Sequence, residues 1–170
     1  MSPWSKMALN NAWANATIYA SLTKIPIEAF TASRPGFFPS LARTMNHIYE
    51  VDLFYLDALE DGGKGRSLFQ RDDVNEAKSL AGLQAEADMR FATYCKSLTE
   101  FDLAIPCHTE RQHGITPENR ANLILHLVQH QIHHRGQAHV QLSDAGVEPP
   151  QLDEFYLEFE RASSAKMYWG

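Results

Sequence analysis

Apolar residues recur at the three- and four-residue spacing of amphipathic helices in two stretches of the first half of the chain. The first opens on Ser2 and Pro3, a cap followed by a first-turn proline, and we expect a helix from about Pro3 to Thr23. Prolines then interrupt any long helix, although the letters IEAF leave room for one short turn. A second helix is predicted from near Pro39 to about Asp61, where DGGKG stops it.

Two further amphipathic stretches follow in the second half. Asn75 can cap a third helix, which we expect to end near Phe101. The segment from Asp102 to Ile115 contains a proline and a glycine and partly alternates, which favours a loop or a short hairpin. The letters TPE that begin at Thr116 combine a cap, a first-turn proline and an acidic residue, so they predict a fourth helix to about Ala145.

The last stretch, LDEFYLEFERASSAKM from Leu152, has the pattern of a shorter amphipathic helix that packs on the others. Four long helices whose apolar faces must all be covered are typical of a four-helix bundle. We therefore predict an all-α fold, a four-helix bundle with a short C-terminal fifth helix, in a single domain over residues 1–170. The order of the helices in space stays open.

The composition and charge of the chain limit the kinds of partner that we expect it to bind. The chain of 170 residues carries a formal charge of −6, with 15 Lys and Arg against 21 Asp and Glu, which argues against binding nucleic acid. It has neither the long apolar run of a membrane span nor the pattern of a signal peptide, so we expect a cytoplasmic protein without a membrane partner. Cys95 and Cys107 form no CxxC pair and are expected to be free thiols.

Histidines are concentrated on the predicted fourth helix, where five of the eight lie within fourteen residues. His130 and His134 are one turn apart and point the same way, so they can chelate one ion. His47, in the middle of the second helix among mostly apolar positions, can supply a third imidazole. His126 is about 12 Å along the helix axis from His134 and is kept as a reserve ligand.

Each of these histidines has an alternative role. A single interior histidine is more often hydrogen-bonded in a core than bound to a metal. HLVQH and HQIHH lack the Glu of zinc protease motifs, and the long helices lack the ExxH pairs of di-iron bundles. Spacing thus favours a single ion bound mainly by nitrogen. The remaining histidines are expected to have surface or packing roles: His108, His113, His133 and His139.

The segment HLVQHQIHHRGQAHVQL, followed by a glycine and PPQLDEF, resembles the fourth-helix signature of the DinB/YfiT-like family, with HHRGQ the most specific part. NAWANATIYASL, LARTMNHIYEVDLFYLDAL and LQAEADMRFATYCKSL resemble the family's first three helices in order and spacing. The resemblance implies a four-helix bundle whose metal ligands are His47, His130 and His134.

The resemblance also implies a range of activities. Some members are thiol-dependent transferases or isomerases that use bacillithiol, mycothiol or glutathione, and others have no assigned reaction. The function we predict is a metal-dependent enzyme that activates a thiol or water at one divalent ion, zinc or nickel, for transfer to a small electrophile. We also expect a homodimer, and we assign no catalytic residue beyond the metal ligands.

Several polar neighbours are candidates for supporting roles. Glu50, Asn15 and Gln137 can accept hydrogen bonds from ligand imidazoles, although each is also an ordinary solvated helix residue. Arg135 can bind an anionic substrate, join a buried salt bridge or face the helix dipole. Gly136 is expected to permit close helix packing.

Two other functions compete with the enzyme. One is a non-catalytic bundle that binds a metal or a stress ligand and acts as a dimeric interaction protein, for which a fourth protein ligand such as His126 would be a sign. The other is metal-assisted hydrolysis, which the lack of an obvious general base beside the histidines disfavours.

Overall fold

The computed structural model describes residues 1–159 and 161–169. Its helices are α1 (Pro3–Leu22), α2 (Ile27–Thr31), α3 (Leu41–Leu59), α4 (Ala77–Ser97), α5 (Glu100–Ala104), α6 (Arg120–Asp144) and α7 (Lys166–Trp169). Strands β1 (Cys107–Arg111) and β2 (Gly114–Glu118) form an antiparallel hairpin, and 3-10 helices span Gly65–Gln70 and Ser163–Ala165. The predicted helical bundle fold is confirmed.

The four long helices surround one apolar core. Helix α1 packs against α4 and α6, and α3 packs against the same two helices, which settles the spatial order that the sequence left open. Leu, Ile and Met side chains at helical spacing fill the centre, because each helix buries its apolar face against two neighbours. Fully buried examples from all four helices are Ile18, Leu41, Met45, Leu56, Leu80 and Ile124.

The first two long helices begin at or close to the predicted residues. The Ser2 side chain accepts a hydrogen bond from the backbone of Ser5, so Ser2 caps α1 as expected. Ser40 caps α3 in the same way, one residue beyond the predicted start. Helix α4 is capped by Glu76 rather than by Asn75.

Helix α6 starts later than the sequence pattern indicates. Thr116, Pro117 and Glu118 belong to β2, where Thr116 pairs with Thr109, and the cap is Asn119. The letters TPE satisfy the local rules for a helix start, but pairing with β1 holds them extended. The expected hairpin therefore exists and takes the first three residues of the predicted helix.

The predicted fifth helix is wrong for the part of residues 152–167 that the structure describes; Glu160 lies outside it. No helix occurs there before the short segments that begin at Ser163. Tyr156 has φ +54°, which an α-helix does not allow, and its ring stacks on Trp169 at 4.6 Å. Asn10 Nδ2 donates to the Glu154 carbonyl at 2.6 Å, so tertiary contacts with α1 replace helical hydrogen bonds.

Among the described residues, no helix combines the length and the apolarity that crossing a bilayer requires.

Candidate metal centre

Three imidazoles meet between α3 and α6. His47 projects from α3, and His130 and His134 project from consecutive turns of α6. Their ring centroids are 5.0 Å apart for His47 and His130, 4.6 Å for His47 and His134, and 4.4 Å for His130 and His134. One ligand atom from each residue lies within 4.8 Å of the other two, so the three can hold a single metal ion.

Hydrogen bonds orient two of the three rings. His47 Nδ1 lies 3.1 Å from Glu50 Oε1, and His134 Nδ1 lies 2.8 Å from Gln137 Oε1. Both oxygens are acceptors, so each Nδ1 carries the proton and each Nε2 presents a lone pair. Glu50 and Gln137 therefore make the contacts expected of supporting residues.

The donor set fits a divalent transition metal. The Nε2 atoms of His47 and His130 are only 3.1 Å apart. Two nitrogens about 2.0–2.1 Å from a tetrahedral zinc are roughly 3.4 Å apart, so this spacing is close to that of a shared ion. His130 Nδ1 is buried and has no hydrogen-bond partner among the described residues. His130 Nε2, which faces His47, is therefore the nitrogen that can bind a shared ion, with the ring proton on Nδ1.

Two of the three imidazoles, His130 and His134, are favoured in the neutral form that metal ligation requires. Burial, helped by the neighbouring His134 and His47, lowers the pKa of His130 to about 3. Burial also lowers the pKa of His134, although its hydrogen bond with Gln137 acts in the opposite direction. At neutral pH both rings can donate lone pairs to a cation.

Arg43 also holds the Glu50 carboxylate in place. Arg43 Nη2 donates to Glu50 Oε1 at 2.6 Å, and Arg43 also pairs with Asp73 at 2.9 Å. Burial raises the pKa of Glu50, but hydrogen bonds from His47 and Arg43 outweigh it and leave the pKa below its ordinary value. Glu50 is therefore an anion that partly balances a bound cation.

Two phenylalanines form an apolar wall beside the imidazoles. The Phe38 ring lies 4.5 Å from that of His47 and 5.6 Å from that of His134. The Phe37 ring is 76% exposed and lies 6.4 Å from His134. Gln141 Nε2 donates to the Phe38 carbonyl at 2.8 Å and so fastens this loop to α6. Sequence reasoning missed the wall, since FF in a proline-rich loop gives no sign of its neighbours.

The reserve ligand is not part of the group. The His126 ring centroid lies 5.2 Å from that of Tyr55 and 6.3 Å from that of His130. Among the described residues, His126 does not belong to the group whose ligand atoms come together. His133 contacts Gln137 on the exposed side of α6, and His139 contacts the Pro150 carbonyl. His108 lies in β1, and His113 lies in the turn that follows.

Arg135 and Asn15 belong to a buried polar network in the bundle core. Arg135 Nη1 donates to Asn15 Oδ1 at 3.0 Å and to Gln131 Oε1 at 3.1 Å. Asn15 Nδ2 in turn donates to Asp88 Oδ1 at 2.9 Å. Burial lowers the pKa of Arg135 to about 10, so its guanidinium stays charged within the core. These contacts give Arg135 a core role and Asn15 no contact with the metal ligands.

Gly136 does not serve close helix packing. A Cβ built at this position would meet no atom within 4 Å outside its own helix among the described residues. The expectation from the sequence is wrong here, because Gly136 is exposed and borders a cavity that Met7 and Asn10 of α1 also line.

Known proteins resemble this chain over most of its length. The sequence profile of the DinB family matches residues 1–166. The chain belongs to the DinB family. Protein DinB of Bacillus subtilis is 23% identical over 142 residues, which cover 80% of this chain and 82% of that protein.

Solved structures agree on the fold of this DinB family member. A DinB-like protein from Bacillus cereus superposes with a TM-score of 0.64 at 21% identity, covering 82% of this chain and 90% of that one. A DinB-like protein from Bacillus subtilis gives a TM-score of 0.62 at 18% identity, covering 85% and 96%. The predicted family is confirmed.

Proposed function

We propose that this protein is a metal-dependent enzyme that uses one divalent ion, zinc or nickel, held by His47, His130 and His134 to activate a thiol or water for transfer to a small electrophile. The observation that carries the proposal is the convergence of three imidazoles without a fourth side-chain ligand among the described residues. Three protein ligands and an open position are typical of catalytic zinc sites, whereas structural sites are closed by four.

The side chains around that open position have different roles. A divalent ion bound there would lower the pKa of a thiol or water. Glu50 and Gln137 hold the imidazoles of His47 and His134 in the orientation that binds a cation. Phe37 and Phe38 limit access of water on one side and offer an apolar surface to a substrate.

A thiol is the preferred nucleophile. In the transfer, sulfur forms a bond to the electrophilic carbon, the leaving group departs with its electron pair, and the thiol proton passes to solvent. Hydrolysis would call for a free base near the imidazoles. Glu50 is the carboxylate that touches them, and it is engaged by both His47 and Arg43.

Metal content is the first test. Protein purified without a nickel column should contain about one equivalent of ion by elemental analysis, and His47→Ala and His134→Ala should lose it. His139→Ala is the matched control, because His139 also lies on α6 but contacts the Pro150 carbonyl and lies outside the group of three. Wild-type protein that retains no metal at neutral pH would refute the proposal.

Turnover is the second test. The metal-loaded protein is assayed for conjugation of bacillithiol, mycothiol and glutathione to a panel of small electrophiles. Thiol conjugation that His134→Ala abolishes and His139→Ala preserves would support the enzyme. Stable metal binding without turnover of any thiol would instead favour a non-catalytic metal-binding bundle.

A further inference from the structure

A cavity of about 180 Å³ opens beside His130. It has room for about six water molecules at roughly 30 Å³ each, enough for a short carboxylate-bearing chain. Its apolar part comes from α3 and the 3-10 helix, and its polar lining comprises Tyr55, Arg66, Glu110, Arg111, His126 and His130. One candidate metal ligand thus shares a cavity with two guanidinium groups.

The backbone around Arg66 is fixed by two carboxylates. Asp57 Oδ2 accepts hydrogen bonds from the backbone N–H of Lys64 at 2.9 Å and of Gly65 at 2.8 Å. Glu110 Oε2 accepts one from the backbone N–H of Arg66 at 2.7 Å. Gly65 has φ +51°, and a Cβ there would overlap the Glu110 carboxylate, so only glycine allows this approach.

The two guanidinium groups differ in how far they are already paired. Arg111 Nη2 pairs with Glu118 at 2.8 Å, and its Nη1 donates to the Tyr55 hydroxyl at 3.3 Å. For Arg66, no side-chain hydrogen bond or salt bridge occurs within residues 1–159 and 161–169. Glu110 also faces the cavity, but its Oε2 is occupied by the Arg66 backbone. All the side-chain donors of Arg66 are therefore free to bind a ligand, and Arg111 keeps donors that neither Glu118 nor Tyr55 occupies.

We infer that this cavity is an anion subsite of the metal centre, and that the thiol bound there carries a carboxylate which Arg66 and Arg111 bind. The inference rests on the proposed function, because it places the sulfur at the open metal position and the carboxylate beside Arg66. Guanidinium groups bind carboxylates through paired, charge-assisted hydrogen bonds. A neutral thiol gains no such charge-assisted hydrogen bond, and the exposed Arg66 then stays hydrated.

The test compares two thiols of equal chain length, 3-mercaptopropionate and 3-mercapto-1-propanol. Their dissociation constants are measured on Co²⁺-loaded protein from the charge-transfer absorption of the bound thiolate. A charge-assisted hydrogen bond corresponds to a preference of about tenfold for the carboxylate thiol. Arg66→Gln should reduce that preference to about twofold or less without weakening the neutral thiol, since the Arg66 side chain has no structural partner in the described part of the chain.

Arg90→Gln is the matched control, because Arg90 pairs with Glu60 and does not line the cavity. It should keep the full preference for the carboxylate thiol. An unchanged preference in Arg66→Gln, or equal affinities for both thiols in the wild type, would overturn the inference and leave the metal proposal standing. Protein that takes up neither Co²⁺ nor thiol would overturn both.

Discussion

Glu50 supports the metal centre without being one of its ligands, so its replacement tests how the site is held. Glu50→Gln keeps a carbonyl oxygen that can accept from His47 Nδ1, but it removes the negative charge and the ion pair with Arg43. Glu50→Ala removes the acceptor as well. Both variants should bind metal more weakly, because the His47 ring loses its fixed orientation and its basicity falls.

The size of the effect follows from burial. The Glu50 side chain is 8% exposed, so water does not readily replace its 3.1 Å hydrogen bond with His47. Loss of such a partner typically weakens metal binding by about 10–100-fold. We expect about tenfold for Glu50→Gln and nearer a hundredfold for Glu50→Ala, or roughly 1.4 to 2.7 kcal/mol. Gln137→Ala should cost less, because it removes a neutral acceptor from His134.

The assay is competition for Zn²⁺ against a chromogenic chelator at neutral pH, with thermal unfolding of the metal-free proteins to show that each variant is folded. Glu60→Gln is the control, since Glu60 pairs with Arg90 on the surface and is the C-cap of α3, the helix that carries Glu50. A folded Glu50→Ala protein that binds Zn²⁺ as tightly as the wild type would refute the reasoning.

Three further predictions concern stability. Burial raises the pKa of Asp88 to about 7, so the folded state holds this proton more tightly than the unfolded chain. Asp88 should therefore lower the free energy of unfolding by up to about 4 kcal/mol between pH 4 and pH 7. Asp88→Asn should reduce this fall in urea titrations and leave the part due to Asp52, whose pKa burial also raises. Gly63 and Gly65 both have positive φ, so alanine at either position should cost roughly 1–2 kcal/mol of backbone strain. Gly65→Ala should destabilise the protein by more than Gly63→Ala, because only the Cβ at residue 65 would overlap Glu110. Gly136→Ala should stabilise the protein by about 0.5–1 kcal/mol, because its Cβ meets open space.

Each of these has a contrary outcome. An equally steep pH dependence in Asp88→Asn would show that another group is responsible. Equal losses at Gly65 and Gly63 would mean that Glu110 moves aside. Destabilisation by Gly136→Ala would point to a contact on the exposed side of α6, such as a second copy of the chain.

Local patterns were sufficient for most of the bundle. Apolar spacing and caps predicted α1 and α3 to within two residues at each end, and the four-residue separation of His130 and His134 put both on one face of α6. These features depend on periodicity and on backbone groups at helix ends, both of which a short stretch of sequence contains. His47 was proposed as the third ligand from its place among apolar positions on the second helix, and the family resemblance assigned the same residue.

The mispredicted elements are those in which contacts with distant residues outweigh the local helix signals. The TPE segment has the residues of a helix start, but hydrogen bonds to β1 make it a strand. The C-terminal segment has amphipathic spacing, yet Asn10 of α1 binds the Glu154 carbonyl in a non-helical stretch, and Trp13 binds Ser164 in the short 3-10 helix. Propensity differences of a few tenths of a kcal/mol per residue yield to such contacts.

The sequence by itself determined that the chain folds as a helical bundle with two histidines one turn apart on its last long helix. Only the tertiary structure decided that α3 lies against α6 with His47 Nε2 3.1 Å from His130 Nε2, and that Arg66 and Arg111 share a cavity with His130. The reason is physical: helical periodicity specifies which face of a helix is buried, whereas the partner of that face depends on how all four helices pack.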